Sequence, residues 1–281
     1  MSGVSRSSSA SLPLTGRGDR RFLAVLWVIG GFYVVMLGAM LVADLAYTTP
    51  GQFWHSLQSP EIRYAIKLSL ISCTLTTIFS LWVAVPIGYL LARTRFPGKA
   101  LVDAILDVPI VLPPLVVGLS LLILFQTPPG RAIERIIPVT YAIPSVILAQ
   151  FMVACAFAVR TLRATFEQIS PRQEQVALTL GCRRSQAFWR VVLPEAREGL
   201  LTAATLAWAR ALGEFGPILV FSGATRMRTE VLSTTVFLEL SVGRIEAAVA
   251  VSLLMVAAAV AALLTIRMLG AERALDRLEL G

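Results

Sequence analysis

Arg210 and Glu214 stand one helical turn apart inside an otherwise apolar stretch, about Gly199 to Ser222, in the block Arg210-Ala211-Leu212-Gly213-Glu214-Phe215-Gly216-Pro217. A charged side chain near the centre of a membrane helix costs about 2.5 to 3.5 kcal/mol on insertion scales, so the two must pair or face a polar interior. Their spacing lets them pair along a helix. Gly216-Pro217 then interrupts that helix and frees backbone amides that could face an anion. Two readings stay open: an internal salt bridge that fixes helix packing, or a charged step on an anion path. A second constellation is Pro109, Pro113 and Pro114 in the first half of the apolar run Asp107 to about Phe125. Proline removes backbone donors and breaks the helix, and a break at membrane depth is tolerated only where it is buried in protein or lines a water-filled cavity. These groups suit electrostatic handling of a ligand. Covalent chemistry is not what they suggest.

Other residue types narrow the chemistry further. His55 is the only histidine, so a histidine-cluster metal site is excluded, and it reads as a polar residue at the membrane edge. Cys73, Cys155 and Cys182 lie in or beside apolar runs without a spaced motif, so neither a disulfide framework nor a metal–cysteine site is indicated. Gly98-Lys99 invites a phosphate-loop reading that fails, because position 93 is Arg93 and Ala100 replaces the needed Ser or Thr. The chain has no visible ATP site of its own. No His, Cys or paired-carboxylate constellation at membrane depth supports an embedded enzyme.

The elements that must position these groups are membrane spans. A chain of 281 residues that is 56% hydrophobic, with mean hydropathy +0.75, exceeds the apolar share of soluble domains. The net charge of +8 would suggest nucleic acid in a soluble protein; here the basic residues must first be placed by loop, and no nucleic-acid partner is expected. Residues 1–21 read as a disordered cytoplasmic tail, Ser- and Arg-rich with almost no apolar periodicity. Residues 22–43 form an additional N-terminal span, long enough for roughly 30 Å of hydrocarbon and longer than a usual signal-peptide core. Further spans follow at about Tyr64 to Ala92, Asp107 to Phe125, Tyr141 to Leu162, Gly199 to Ser222 and Ala247 to Ile266. In the second, Ser69, Ser72, Cys73, Thr76, Thr77 and Ser80 recur at helical spacing, as close helix packing or a hydrophilic pathway would require. Arg93, Arg95 and Lys99 mark one cytoplasmic loop. Arg160, Arg163, Arg172, Arg183, Arg184, Arg190 and Arg197 mark another. Asp44 to Arg63, the mixed-charge loop after Phe125, and the polar connection Phe221 to Arg244 should lie outside. Six spans put both termini in the cytoplasm, with residues 268–281 as a C-terminal tail.

Between two apolar runs lies Glu174 to Pro194, EQVALTLGCRRSQAFWRVVLP. Ser170 can cap a first short helix with Pro171 at its first position and Gln173 reaching back, and the helix should end at Gly181 in a left-handed residue. A second short helix carries Ala187, Phe188, Val191 and Val192 on one apolar face, leaves Arg183, Arg184 and Arg190 elsewhere, and stops at Pro194. The pattern Gln175-Val176-Ala177, Gly181, then Val191-x-Leu193-Pro194 resembles the cytoplasmic "EAA" loop of importer-type ABC permeases. It departs from that family in having Gln175 at the leading Glu, with Glu174 just before it. Asp107 to Phe125 resembles the "LPP" span of molybdate and tungstate permeases, and Ala211 to Gly216 resembles the "ALGEFG" segment of molybdate, tungstate and sulfate permeases. Thr229-Glu230-Val231-Leu232 with Phe237-Leu238-Glu239 is also similar to them.

That resemblance covers about residues 64–267 and implies an all-α polytopic membrane protein with the type I ABC importer (MetI-like) permease fold. It implies a coupling loop at 167–198 whose Glu174, Gln175, Val176, Ala177, Gly181, Val191, Leu193 and Pro194 meet cytoplasmic ABC ATPase subunits. Pro113, Pro114, Arg210, Glu214, Gly216 and Pro217 become candidates for the translocation path. It further implies a place in the plasma (inner) membrane of a prokaryote, a second permease copy, a homodimer by analogy with molybdate-type permeases, and an external binding protein delivering a tetrahedral oxyanion. No cofactor is expected on this chain; ATP and Mg would sit on the partner ATPase. The same machine carrying sulfate, thiosulfate or another solute, and an ion-gradient-driven secondary transporter, are the competing expectations.

Overall fold

The computed structural model describes residues 17–279, with side chains for residues 22–264. Most of the expected tail, residues 1–16, lies outside the described residues. Residues 1–49 and 50–281 form two compact units. In the first, α1 (Arg17–Tyr47) is one continuous helix that already begins within the expected tail, and its stretch Phe22–Tyr47 is long and apolar enough to span.

The second unit is also helical, and no strand occurs among the described residues. The expected first outer loop is ordered as α2 (Pro50–Gln58) and leads into the long α3 (Pro60–Arg93), where Ser59 Oγ accepts from Ile62 N at 3.4 Å and Pro60 fills the first turn. The run from Asp107 to Phe125, expected as one span broken by its prolines, is divided between two helices, α4 (Lys99–Val111) and α5 (Pro114–Gln126), bent by 111°. Leu112 and Pro113 are extended, at ψ 142° and 133°, because the residue before a proline is driven out of the helical region and Pro113-Pro114 supplies two in succession. Next come α6 (Pro128–Ile136) and α7 (Ile143–Gln168). The chain goes on through α8 (Pro171–Thr179), α9 (Arg184–Ala187), a π-helical turn (Phe188–Val192) and α10 (Leu193–Glu195). The expected fifth span is also divided, into α11 (Arg197–Leu212) and α12 (Gly216–Phe221). Last are α13 (Leu232–Ser241) and α14 (Ile245–Glu279), whose helix runs through most of the expected C-terminal tail. Four described helices are long and apolar enough to cross a membrane, or five with the bent pair as one span. The remaining member of the expected six is the α11–α12 pair, whose break keeps either half short.

Small residues decide the centre of the unit. Ser69, Ser72, Cys73, Thr76, Ser80 and Ala84 of α3 are buried, as are Ala149, Val153, Ala154 and Ala158 of α7, so the two backbones approach closely. Gly88 sits against Leu162 and Arg163, where an added Cβ would be 3.0 Å from the Arg163 nitrogen. The polar stripe on α3 is therefore a packing face. The connection Phe221 to Arg244, expected as a polar external segment, is also packed: Thr229, Glu230, Thr234, Thr235 and Glu239 are buried. Arg226 explains this, since its guanidinium reaches Glu230 at 3.4 Å and Glu239 at 2.8 Å, while Arg244 pairs with Glu239 at 2.9 Å.

Candidate functional site

The first site is where the two divided spans meet. Pro114 opens α5 and Gly216-Pro217 opens α12, and these two starts interlock. An added Cβ on Gly118 would stand 2.7 Å from Pro217 Cα, and one on Gly216 would stand 2.9 Å from Pro114 Cβ. The structure thus brings Pro114, Gly216 and Pro217 together, with Pro113 one residue upstream. We expect Gly118→Val to force the breaks apart and destabilise the protein by about 1–3 kcal/mol, as overpacking does. A melting temperature in detergent equal to wild type would show that the breaks do not need this contact.

Arg210 and Glu214 flank the α11 break, with Nη1 to Oε2 at 2.9 Å. The contact is an ion pair without hydrogen-bond alignment, since Glu214 Oε2 has no hydrogen-bond partner. Their burial is unequal. Glu214 is 1% exposed and the Arg210 side chain 33%. The Arg210 guanidinium also lies 5.6 Å from the centre of the Phe157 ring, at cation–π distance. The carboxylate is therefore the buried partner and the guanidinium the partly exposed one.

The break itself is pinned from three sides. Gln150 of α7 donates to Ala211 O at 3.1 Å, the same carbonyl that accepts from Glu214 N at 3.2 Å. Thr76 of α3 donates to Gln150 Oε1 at 3.2 Å. Ser233 of α13 donates to Glu214 O at 2.7 Å, and Leu232 N donates to Ser69 Oγ at 2.8 Å. Backbone groups freed by a membrane-depth break must be satisfied within the protein, and these side chains do it. Sequence reasoning missed Gln150, Ser233 and Gly118. A lone glutamine in the apolar run after Pro144 was the available signal; Gly118 gave none.

The second site is the projecting segment from α8 to α10. Pro171 occupies the first turn of α8 as expected, but the Ser170 hydroxyl makes no capping bond. The far end closes as expected: Gly181 has φ +89°, Gly181 N donates to Leu178 O, and Cys182 N to Ala177 O, both at 3.0 Å. The stop expected at Pro194 is not there. Leu193 N instead bonds back five residues to Phe188 O, and helical backbone continues through Pro194 to Glu195. Widening the turn takes the carbonyl away from the proline ring, which would clash with it in a regular α-helix.

The named residues of this knob divide by direction. Ala177, Ala187 and Val192 are buried; Val191, Leu193 and Pro194 are half-buried; Gln175, Gly181, Arg183, Arg184 and Arg190 face outward. Val176, Leu180 and Trp189 are 56%, 80% and 66% exposed. Glu174 turns inward, accepting from Tyr89 Oη at 2.6 Å and lying 3.6 Å from Arg93 Nε. A cleft of about 570 Å³ opens beside it, lined among others by Pro86, Tyr89, Arg93, Phe188 and Trp189. Among the described residues no cluster of His, Cys, Asp or Glu is arranged to hold a metal ion.

The family described as "Binding-protein-dependent transport system inner membrane component" matches residues 84–277. The sulfate transport system permease protein CysT of Escherichia coli (strain K12) is 34% identical over 232 residues, 82% of this chain and 84% of that one. A probable molybdenum ABC transporter permease protein of Haloferax volcanii is 32% identical over 265 residues, 94% of each chain. Among solved structures, a chain of a bacterial alginate ABC transporter in complex with its pentasaccharide-bound periplasmic protein superposes with TM-score 0.72. It is 19% identical, with coverage of 89% of this chain and 93% of that one, a likeness of fold.

Proposed function

Since this chain belongs to the family of binding-protein-dependent transport system inner membrane components, we propose that it is the permease subunit of an ATP-driven ABC importer for a tetrahedral oxyanion, molybdate or tungstate. It is a multi-pass inner-membrane transport component and not an enzyme, and permease subunits of ABC importers do not themselves bind cofactors. An external binding protein delivers the dianion to a path between two copies of the chain. Arg210, oriented by the buried Glu214, offers positive charge there, and the interlocked starts of α5 and α12 shape the wall beside it. ATP and Mg sit on two cytoplasmic ATPase subunits whose grooves hold the knob, and ATP-driven closure switches the path from inward- to outward-facing. The basic residues of the knob and of the loop after α3 support a cytoplasmic side for both, with both termini inside.

One observation carries the reading of an anion path: a partly exposed arginine fixed by a buried carboxylate at a double helix break. The similarity to CysT favours sulfate as a second cargo. Vesicles reconstituted with permease, ATPase and binding protein, and loaded with ATP, should accumulate tungstate or molybdate in preference to sulfate. Uptake of sulfate alone would assign the second cargo, and uptake of neither would remove the oxyanion assignment.

A further inference from the structure

The knob's attachment to α3 is built as a joint rather than as a loop end. The Glu174 carboxylate accepts the Tyr89 hydroxyl at 2.6 Å and faces Arg93, whose Nη2 donates to Ile169 O at 2.8 Å, the carbonyl that follows α7. The Tyr89 ring stands edge-on to Phe188 of the knob at 4.8 Å and to Phe166 of α7 at 5.8 Å. Knob, α3 and α7 are thereby held at one point by an ionic contact and an aromatic cluster. The middle of α3 reaches the α11–α12 break by way of Gln150, through Thr76, and about two turns earlier Ser69 accepts from Leu232 N, the neighbour of the Ser233 that bonds Glu214 O. At 1.5 Å per residue, Tyr89 and Thr76 are roughly 20 Å apart along that helix. One contact in the joint is unfinished. Arg93 Nε is buried without a hydrogen bond, and the 3.6 Å gap to Glu174 needs to shorten by about 0.7 Å to become one. The neighbouring cleft leaves room for that movement.

We propose that Tyr89, Arg93 and Glu174 form the transmission between knob and path: positioning residues through which a push on the knob moves α3 and, with it, the Arg210–Glu214 break. Glu174 then belongs to this joint and makes no contact with the ATPase. The proposal rests on the reading of the knob as the ATPase contact. It requires that knob and α3 move as one body, with the Arg93–Glu174 contact tightening under load.

The test uses the full complex in vesicles, with tungstate as the transported probe and ATP hydrolysis measured in parallel. Tyr89→Phe removes only the hydroxyl and keeps the ring; Arg93→Met removes the charge. Both should co-purify with the ATPase and hydrolyse ATP, while tungstate moved per ATP falls about tenfold, the scale of one charge-assisted hydrogen bond. Glu174→Gln should show the same loss of yield with ATPase docking intact, whereas weakened docking would return Glu174 to the ATPase contact and overturn the joint. An unchanged yield per ATP in Tyr89→Phe and Arg93→Met would overturn it as well. Should either variant misfold, a second construction decides: Tyr89→Cys with Glu174→Cys, in a Cys182→Ser background because Cys182 is the one free cysteine that is not buried. Before linking, that pair should have lost tungstate moved per ATP, and linking it with a short bifunctional thiol reagent should raise the yield again; a further fall on linking would show that knob and α3 must part and would overturn the joint. Leu180→Asp separates the underlying reading. If it still binds the ATPase normally, the knob is not the contact, whatever the joint variants do.

Discussion

Arg210→Met is expected to abolish oxyanion uptake and to destabilise the protein, by on the order of 3–5 kcal/mol, as when one partner of a buried ion pair is removed. The structure sets this asymmetry. Glu214 is almost wholly buried, so without Arg210 its charge has no partner within the protein. Glu214→Gln is the gentler change, because Arg210 keeps its partial exposure and the Phe157 ring. The double variant, Arg210→Met with Glu214→Gln, removes both charges and should regain most of the lost stability, because the two residues are in contact and their effects do not add. Stability and transport then part. A double variant that melts near wild type, binds the ATPase and hydrolyses ATP, yet carries almost no tungstate, is the outcome expected of a cation on the path. Wild-type uptake by that variant at equal protein level would leave the pair a purely structural role.

What the sequence made legible was local chemistry. Gly181 ends α8 in a left-handed residue because few other residues adopt that conformation cheaply, and the bonds around it follow from the turn alone. Pro113-Pro114 and Gly216-Pro217 marked both breaks, since missing donors are a property of the residues themselves. What was not legible depends on partners far along the chain. Glu174 turns inward because of Tyr89, 85 positions away, and the 221–244 segment folds in because Arg226 meets Glu239. Pro194 reads as a stop because a regular helix cannot pass it, and the wider turn that lets the chain continue has no signature in residue type. The shape of a span depends in the same way on what it packs against. Apolar length records that a segment suits lipid, but not that it bends by 111° at its middle.

Leu180→Asp should produce the second large effect, loss of ATPase binding. Leu180, Trp189 and Val176 expose most of their apolar surface on a segment that also exposes Gln175, Arg183, Arg184 and Arg190, a mixture that suits an aqueous protein contact better than a lipid-facing one. Apolar side chains exposed together among polar ones mark a protein contact. A central anchor of such a contact costs about 2–4 kcal/mol when lost, on the order of 30- to 800-fold in affinity, and a carboxylate forced into the same pocket adds a desolvation cost. Gly181→Leu probes the same surface differently. An added Cβ there meets open space, so its cost is the left-handed backbone alone, about 1–2 kcal/mol, and Gly181→Asn should be milder because asparagine tolerates that region. Binding of purified ATPase to the permease in detergent, measured by titration, should therefore rank wild type above Gly181→Asn, then Gly181→Leu, then Leu180→Asp. Leu180→Asp binding as tightly as wild type would mean that the exposed apolar surface serves another partner and that the ATPase grips the chain elsewhere.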